Sequence, residues 1–207
     1  MKVLVLGATG GTGREVVTQA LSRRHDVTVL VRDPTRLHAT DRVRVIIGDL
    51  KADPEVLQTA VEGQEAVVSA LGMGNSLKSG GLITYAVPAI VRAMTSAGVQ
   101  RLVFTSAYGV GETWRDVPLL PRVVMQLLLR DLYADKAAGE ALLRQSTVKW
   151  TLVHPVTLTN GPRTGSIQHG ERLALSGFPR ISRADVADFL LGQLDDTRYV
   201  RKSVIVR

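Results

Sequence analysis

Short apolar runs alternate with longer segments of mixed character along most of this chain. Each run is continuous rather than alternating, which is typical of strands buried on both faces of a parallel sheet. A sheet of this kind needs helices to cover both of its faces. The predicted strands are residues 2–6, 27–31, 43–47, 66–70, 101–105, 150–154 and 203–206.

The segments between these runs are predicted to be helices, and local sequence signals mark where several of them begin or end. Asp53 followed by Pro54 is a helix cap with proline at the first helical position. Ser182 can cap the last helix, and Gly98 follows the final turn of the third. The predicted helices are residues 11–22, 53–61, 81–97, 121–145 and 182–194.

The composition fits one α/β domain that spans residues 1–207. Hydrophobic residues make up 45% of the 207 residues, which is enough to build a core without stabilisation by disulfides or metals. The chain has no cysteine, which excludes disulfides, thiolate metal sites and a cysteine nucleophile. No histidine spacing indicates a metal site. The apolar run at the N-terminus ends at Gly7 and is too short for a signal peptide or a membrane span, so we expect a cytoplasmic protein without membrane attachment.

The net charge of +7 raises the question of nucleic-acid binding. The basic residues are scattered, and aromatic residues make up only 4% of the chain, which leaves few rings for base stacking. We therefore expect no nucleic-acid partner, and a small-molecule substrate instead. No long exposed apolar helix face is evident, which favours a monomer or a weak dimer.

A glycine-rich turn follows the first predicted strand and opens the first predicted helix. Gly7 allows the tight turn, Gly10 lets the backbone approach a pyrophosphate, and Gly13 lets the helix pack against the sheet. The helix start supplies free N–H groups and the positive end of the helix dipole. Together with the strand and helix pattern, this turn predicts a Rossmann-type doubly wound parallel sheet that binds a dinucleotide at the carboxyl ends of its strands.

The residues after the second strand bear on which dinucleotide binds. NAD-binding proteins place an acid there for the ribose hydroxyls, whereas this chain has Arg32. A guanidinium pairs with a 2′-phosphate, and Arg36 in the same loop is a second candidate for that contact. Asp33 leaves an alternative open, because it either takes the ribose or caps the turn that begins at Pro34. We favour NADP(H) as the cofactor.

These motifs together resemble the atypical short-chain dehydrogenase/reductase family, near the biliverdin IXβ reductase/flavin reductase group and NmrA-like proteins. The resemblance covers nearly the whole chain and includes the arginine after the second strand and the late Gly-Pro-x-Thr-Gly motif at 161–165. It implies that Asp49 and Leu50 flank adenine and that Leu71 and Gly72 line the ribose. The cofactor-binding residues that it implies are Gly7, Thr9, Gly10, Gly11, Thr12, Gly13, Arg32, Arg36, Asp49, Leu50, Leu71, Gly72, Ser106, His154, Pro155 and Thr157.

Ser106 and Lys136 are the candidate catalytic residues. Most carbonyl-reducing members of the wider superfamily place a tyrosine four residues before the lysine, but Tyr133 is only three before it. Tyr133 then points about 100° from the usual direction on a helix, which makes it a poor proton donor. Ser106 is expected to orient the nicotinamide or the substrate. For Lys136, the alternative is a surface ion pair with Glu140.

A flat conjugated acceptor fits the missing tyrosine, because its delocalised charge lets solvent supply the proton. We therefore expect an NADPH-dependent reductase of a flavin, tetrapyrrole or quinone type acceptor. The alternative is a non-catalytic NADP(H)-binding sensor of the NmrA-like type. Residues 73–80, 108–130 and 157–180 are expected to form the substrate region. Tyr108 and Trp114 are its candidate walls, unless Trp114 packs under the long helix.

Overall fold

The computed structural model describes residues 1–37, 41–74, 76, 78–117, 122 and 127–207. Eight strands of these residues form one sheet in the order β3-β2-β1-β4-β5-β6-β10-β8. All neighbouring strands are parallel except β8, which pairs antiparallel with β10. A separate parallel pair joins β7 and β9. The strands are β1 Lys2–Leu6, β2 Asp26–Val31, β3 Val43–Ile47, β4 Ala66–Ser69, β5 Arg101–Thr105, β6 Lys149–Pro155, β7 Thr157–Thr159, β8 His169–Gly170, β9 Arg180–Ser182 and β10 Lys202–Val206.

Five α-helices in the described ranges connect these strands, with short 3-10 turns at Pro34–Arg36 and Gly111–Asp116. The caps agree with the sequence: Asp53 accepts from the N–H groups of Glu55 and Val56, and Ser182 accepts from Asp185 N. The helices are α1 Gly11–Ser22, α2 Pro54–Val61, α3 Leu82–Ser96, α4 Arg130–Arg144 and α5 Arg183–Gly192.

The seven predicted strands are confirmed, and no end is shifted by more than one residue. The three strands that were not predicted, β7 to β9, have only three, two and three residues. Runs this short leave no periodic signal in a sequence. Four predicted helices are confirmed within three residues at either end. The helix predicted over 121–145 is interrupted rather than continuous: residues 122, 127 and 128 are helical, residue 129 is not, and α4 begins at Arg130. Residues 118–121 and 123–126 lie outside the described residues.

Each central strand sends alternate side chains into two separate hydrophobic clusters. Val3 and Val5 belong to the cluster under α1 and α5, whereas Leu4 and Leu6 belong to the one under α2, α3 and α4. This alternation buries both faces of the sheet, so the predicted doubly wound Rossmann-type fold is confirmed. The strand order reverses direction between β1 and β4, which opens a crevice at their carboxyl ends. Among the described helices, none has the length and apolar character needed to cross a membrane.

Candidate cofactor-binding and active site

The turn between β1 and α1 has glycine where no other residue fits. Gly7 has a φ of +80°, in the left-handed region that favours glycine. A Cβ at Gly7 would lie 2.5 Å from the Ala70 carbonyl oxygen, and one at Gly13 would lie 2.1 Å from the Gly7 carbonyl oxygen. The glycines at these two positions therefore let the turn, the end of β4 and the start of α1 come together.

The start of α1 is open and carries no negative group of its own. Gly10 is its N-cap, no side chain caps it, and the first turn contains no acid. The first N–H groups of a helix have no partner within the helix, so this end attracts an anion. Gly10 is exposed and Thr9 is half-buried, whereas Thr12 is buried. The turn therefore has both the room and the unpaired donors that a pyrophosphate needs.

Arg183 lies across this same helix start, although it comes 172 residues after Gly11 in the chain. A Cβ at Gly11 would lie 2.7 Å from Arg183 Cδ and 2.8 Å from its Nε. Arg183 NH1 also donates to Asn160 Oδ1 at 2.6 Å, which fixes the guanidinium to a neutral partner. A cation at the positive end of a helix is unfavourable unless an anion joins it. Arg183 was not predicted as a site residue, because no local signal in the sequence places α5 next to the turn.

The loop after β2 keeps Asp33 occupied and leaves Arg32 exposed. Asp33 Oδ1 accepts from the backbone N–H of Thr35 at 3.0 Å and from its hydroxyl at 2.6 Å. These bonds hold the pKa of Asp33 below its ordinary value. Asp33 is thus the cap of the turn at Pro34, as one of the two interpretations predicted. Arg32 makes no hydrogen bond or ion pair with another residue of the described ranges. Arg36 is also exposed.

The ends of β3 and β4 border the same crevice. Asp49 is half-buried, and its Oδ1 accepts from Lys51 N at 2.8 Å, so it shapes the turn ahead of α2. Leu50 next to it is buried. Leu71 is half-buried and Gly72 is exposed, and no atom of the described residues lies within 4 Å of the place where a Cβ at Gly72 would be. The β4 end therefore leaves open space beside the backbone, which suits a ligand that lies against it.

Ser106, Glu140 and His154 form a buried polar cluster between β5, α4 and β6. The three residues are 5%, 2% and 0% exposed. Ser106 Oγ donates to Glu140 Oε1 at 2.5 Å, and His154 Nε2 lies 3.6 Å from the same oxygen. Arg144 NH2 lies 3.3 Å from the other carboxylate oxygen. This cluster was not predicted from the sequence, because the helix and strand that carry Glu140 and His154 are brought together only in the fold.

Lys136 is half-buried beside this cluster. Burial removes hydration from its ammonium and lowers its pKa, although the carboxylates of Glu140 and Asp135 oppose the shift. The alternative of a surface ion pair with Glu140 is wrong, since Glu140 is buried and is held by Ser106 and Arg144. A half-buried lysine with a lowered pKa is a candidate for a site role rather than for surface charge.

A pocket of about 300 Å³ lies between the loop after β5 and the first half of α4. Trp114 is half-buried and lines it, and its role as a wall for the substrate stays a prediction. Tyr133 lines it as well, and its hydroxyl donates to the Tyr108 carbonyl oxygen at 3.2 Å. Arg130 is exposed at its edge. The residues that line the pocket are Gly109, Val110, Gly111, Trp114, Arg130, Tyr133, Ala134 and Ala137.

Tyr108 is not a wall of this pocket. It is 7% exposed, and its hydroxyl donates to the Asp116 carbonyl oxygen at 2.6 Å. Burial, followed by the charge of Asp116, raises its pKa. The predicted substrate role of Tyr108 was therefore wrong for its side chain. Tyr108 instead braces the loop that carries Trp114.

The segment after β6 docks onto α5. Pro155 is buried and its carbonyl accepts from Tyr108 N at 2.9 Å, whereas Thr157 is exposed at the start of β7. Asp185 accepts from the N–H groups of Thr164 and Gly165 at 2.8 and 3.0 Å. The distinctive Gly-Pro-x-Thr-Gly motif thus anchors this loop to the helix that also carries Arg183.

Comparison with known proteins agrees with this geometry. Residues 7–197 match the model of a family described as NAD(P)H-binding. The uncharacterized sugar epimerase YhfK of Bacillus subtilis is 25% identical over 204 residues, which cover 95% of this chain and 89% of that protein.

Two solved structures share the fold at 22% sequence identity. A short-chain dehydrogenase/reductase of Veillonella parvula in complex with NADP has a TM-score of 0.82, with 99% of this chain and 93% of that chain covered. ChuY, an anaerobillin reductase from Escherichia coli, has a TM-score of 0.81, with 100% of this chain and 96% of that chain covered. The resemblance seen in the sequence is thereby confirmed, and the chain belongs to the NAD(P)H-binding family.

Proposed function

We propose that this protein is an NADPH-dependent reductase that acts on a flat conjugated acceptor, such as a flavin, a linear tetrapyrrole or a quinone. One observation carries the proposal: the open phosphate turn and the aromatic pocket lie on the same edge of the sheet. The turn follows β1, the pocket loop follows β5, and α4 begins at the pocket. In a doubly wound sheet the carboxyl edge is where ligands bind.

The loop after β2 supports NADPH rather than NADH. The carboxylate of Asp33 is engaged with Thr35, so it is a poor partner for the ribose hydroxyls. Arg32 and Arg36 are exposed in the same loop and match the charge of a 2′-phosphate. The Veillonella parvula neighbour, which shares the fold, was solved with NADP.

The remaining contacts follow from the layout of this edge. The start of α1 holds the pyrophosphate, Asp49 and Leu50 flank the adenine, and the ends of β4 and β5 face the ribose and nicotinamide. When bound, NADPH supplies the hydride. Ser106 orients the nicotinamide or the acceptor, and Lys136 places a positive charge beside it. His154 and Pro155 are buried, so they support this end of the site from beneath.

The pocket favours a flat and delocalised acceptor. Trp114 and Tyr133 give it aromatic walls, and Arg130 at its edge favours an acceptor with acidic groups. The Tyr133 hydroxyl is engaged with a backbone carbonyl, and burial raises its pKa. A ketone needs a nearby acid for the alkoxide that its reduction creates. A delocalised acceptor depends more on its position relative to the cofactor.

The test combines binding with turnover. Affinities for NADPH and NADH are measured by calorimetry, and NADPH oxidation is followed by absorbance with FMN, riboflavin, biliverdin and a naphthoquinone as separate acceptors. We expect tighter binding of NADPH and turnover with at least one acceptor. If NADPH binds but none of the acceptors is reduced, the reductase proposal fails and the non-catalytic NADP(H)-binding sensor takes its place. A failure to bind either cofactor would overturn the whole proposal.

A further inference from the structure

The protonation of the Ser106–Glu140–His154 cluster is constrained by the partners of the imidazole. His154 Nδ1 lies 3.1 Å from the Ala107 carbonyl oxygen, which can only accept. Nδ1 therefore carries a proton and donates it to that carbonyl. In the neutral ring, Nε2 is then a bare acceptor. Nε2 is buried, has no hydrogen-bond partner among the residues that the structure describes, and faces Glu140 Oε1 at 3.6 Å.

An ionised Glu140 and a neutral His154 thus present two acceptors to each other. One proton between them removes the repulsion and satisfies the buried Nε2, whichever of the two groups carries it. Nearby cations limit how tightly this proton is held. The pKa of His154 lies below its ordinary value: burial lowers it most, Glu140 and the bond to Ala107 raise it, and Arg144 and Lys136 lower it further. Arg144 is also shared with Glu112 at 3.4 Å.

The order of the three groups differs from that of a nucleophilic triad. In such a triad the serine hydroxyl bonds to the imidazole, and the carboxylate lies behind the ring. Here the hydroxyl of Ser106 bonds to the carboxylate, and the imidazole lies behind Glu140. This order does not activate Ser106 for attack on a carbonyl. It instead connects the serine at the carboxyl end of β5 to a buried titratable pair.

We propose that the Ser106–Glu140–His154 cluster stores one proton and delivers it through Ser106 Oγ to the acceptor after hydride transfer. The proposal rests on the proposed function, and it makes the cluster rather than bulk solvent the immediate proton source. One proton leaves the cluster in a single relay: Ser106 Oγ gives its proton to the reduced acceptor as it takes one from Glu140 Oε1, and where the ring holds the stored proton, His154 Nε2 supplies Glu140 Oε1 in the same relay. The cluster then holds a neutral imidazole and a carboxylate beside Arg144. Water then reloads the pair.

The storage step is tested by NMR on the cofactor-free protein. The ring of His154 is followed from pH 5 to 9, and its signals are assigned with His154→Asn, whose amide keeps a donor near the position of Nδ1. In Glu140→Gln the carboxylate is gone, so we expect the titration midpoint of His154 to fall by about one pH unit or more. An unchanged midpoint, or a ring that never titrates, overturns the storage step.

The matched control is Glu112→Gln, which removes a carboxylate from the same Arg144. The Glu112 side chain is 72% exposed and lies 3.4 Å from Arg144. We expect the His154 midpoint in this variant to stay close to that of the unmodified protein. A shift as large as that of Glu140→Gln would mean that Arg144, and not the direct pair, sets the titration.

The delivery step is tested by the pH dependence of kcat. As pH rises through the midpoint of the pair the stored proton is lost, so kcat should fall. Glu140→Gln interrupts the relay, so its kcat should be low and should lose the pH midpoint of the unmodified protein. Ser106→Ala should lower kcat about 100-fold while NADPH affinity stays nearly constant. The delivery step is overturned if Glu140→Gln has the same kinetic midpoint as the unmodified protein, or if Ser106→Ala keeps full kcat.

The two proposals fail in different ways. NADPH turnover together with an unchanged His154 midpoint in Glu140→Gln overturns the proton cluster and leaves the reductase standing. Absence of turnover with every acceptor overturns the reductase and the delivery step, while the NMR titration still decides whether the pair holds a proton.

Discussion

Asp33 and Arg32 are neighbours at the end of β2, and the roles of these two side chains decide the proposed cofactor preference. The carboxylate of Asp33 turns back onto Thr35, where it accepts two hydrogen bonds. Arg32 is exposed and has no partner in the ranges that the structure describes. A guanidinium left unpaired beside an open crevice is suited to a phosphate, because it offers several donors in a planar fork.

Replacing Arg32 by glutamate should therefore affect the two cofactors unequally. We expect Arg32→Glu to weaken NADPH binding by about 2–4 kcal/mol, since a charge-assisted pair is lost and repulsion replaces it. NADH affinity should change much less, because NADH has no 2′-phosphate. Calorimetry with both cofactors measures the difference.

The control is Arg198→Glu, which makes the same charge change at an exposed position before β10, on the opposite edge of the sheet. It should leave both affinities nearly unaltered. If Arg32→Glu weakens NADPH and NADH by the same factor, Arg32 does not read the 2′-phosphate.

The packing of α1 against α5 explains a glycine that the phosphate turn alone does not require. Gly11 is the first residue of α1, and Arg183, the first residue of α5, crosses over it. A Cβ at Gly11 would lie 2.7 Å from Arg183 Cδ, so the side chain would have to leave its bond to Asn160. The room that Gly11 provides serves the arginine of another helix.

A double-mutant cycle on unfolding free energy tests this contact. Alanine favours a helix over glycine by up to about 1 kcal/mol, so Gly11→Ala should stabilise a protein that already carries Arg183→Ala. With Arg183 present, the clash should cancel that gain, which gives a coupling energy of about 1 kcal/mol.

Gly192→Ala serves as the reference, because a Cβ at Gly192 meets no atom within 4 Å. Its effect should be the same with and without Arg183. Equal effects of Gly11→Ala in the two backgrounds would show that Arg183 does not exclude a side chain at position 11.

Two buried aspartates connect distant parts of the whole molecule. Asp135 on α4 accepts from the N–H groups of Ile83 and Thr84 at the start of α3. Asp185 on α5 accepts from those of Thr164 and Gly165. Burial acts to raise both pKa values, but the hydrogen bonds outweigh it and hold each pKa below its ordinary value of 3.8.

These carboxylates should make the fold sensitive to acid. A pKa that is depressed in the folded state contributes stability above the unfolded value, and this contribution is lost as pH falls through the folded pKa. The unfolding free energy should therefore decline below about pH 4. Asp135→Asn should cost about 1–3 kcal/mol at neutral pH and should flatten this decline. Urea titrations between pH 2.5 and 7 measure both effects.

The exposed Asp195 provides the comparison. Asp195→Asn should leave the decline of the unfolding free energy at acid pH unchanged. If the unfolding free energy of Asp135→Asn declines as steeply at acid pH as that of the unmodified protein, the carboxylate of Asp135 does not couple folding to pH.

Much of the framework was predictable because its signals are local. The central strands are continuous apolar runs, and the helix starts at Asp53 and Ser182 are marked by capping residues. The interruption at residue 129 that precedes α4 was not predicted. Neither were β7 to β9, whose short runs owe their conformation to the strands beside them. The role of Tyr108 was predicted wrongly for a similar reason. The sequence does not indicate whether an aromatic side chain faces a ligand or a backbone carbonyl.

The sequence by itself determined the strand–turn–helix of the phosphate site, the doubly wound fold and the presence of Arg32 after β2. Each of these depends on residues that are close in the chain, where turn geometry and apolar periodicity act directly. Only the tertiary structure decided that Arg183 crosses Gly11 and that Glu140 lies between Ser106 and His154. Gly11 and Arg183 are 172 positions apart, Ser106 and Glu140 are 34 apart, and Glu140 and His154 are 14 apart but lie on different elements. The packing of the sheet and helices decides which of these residues meet.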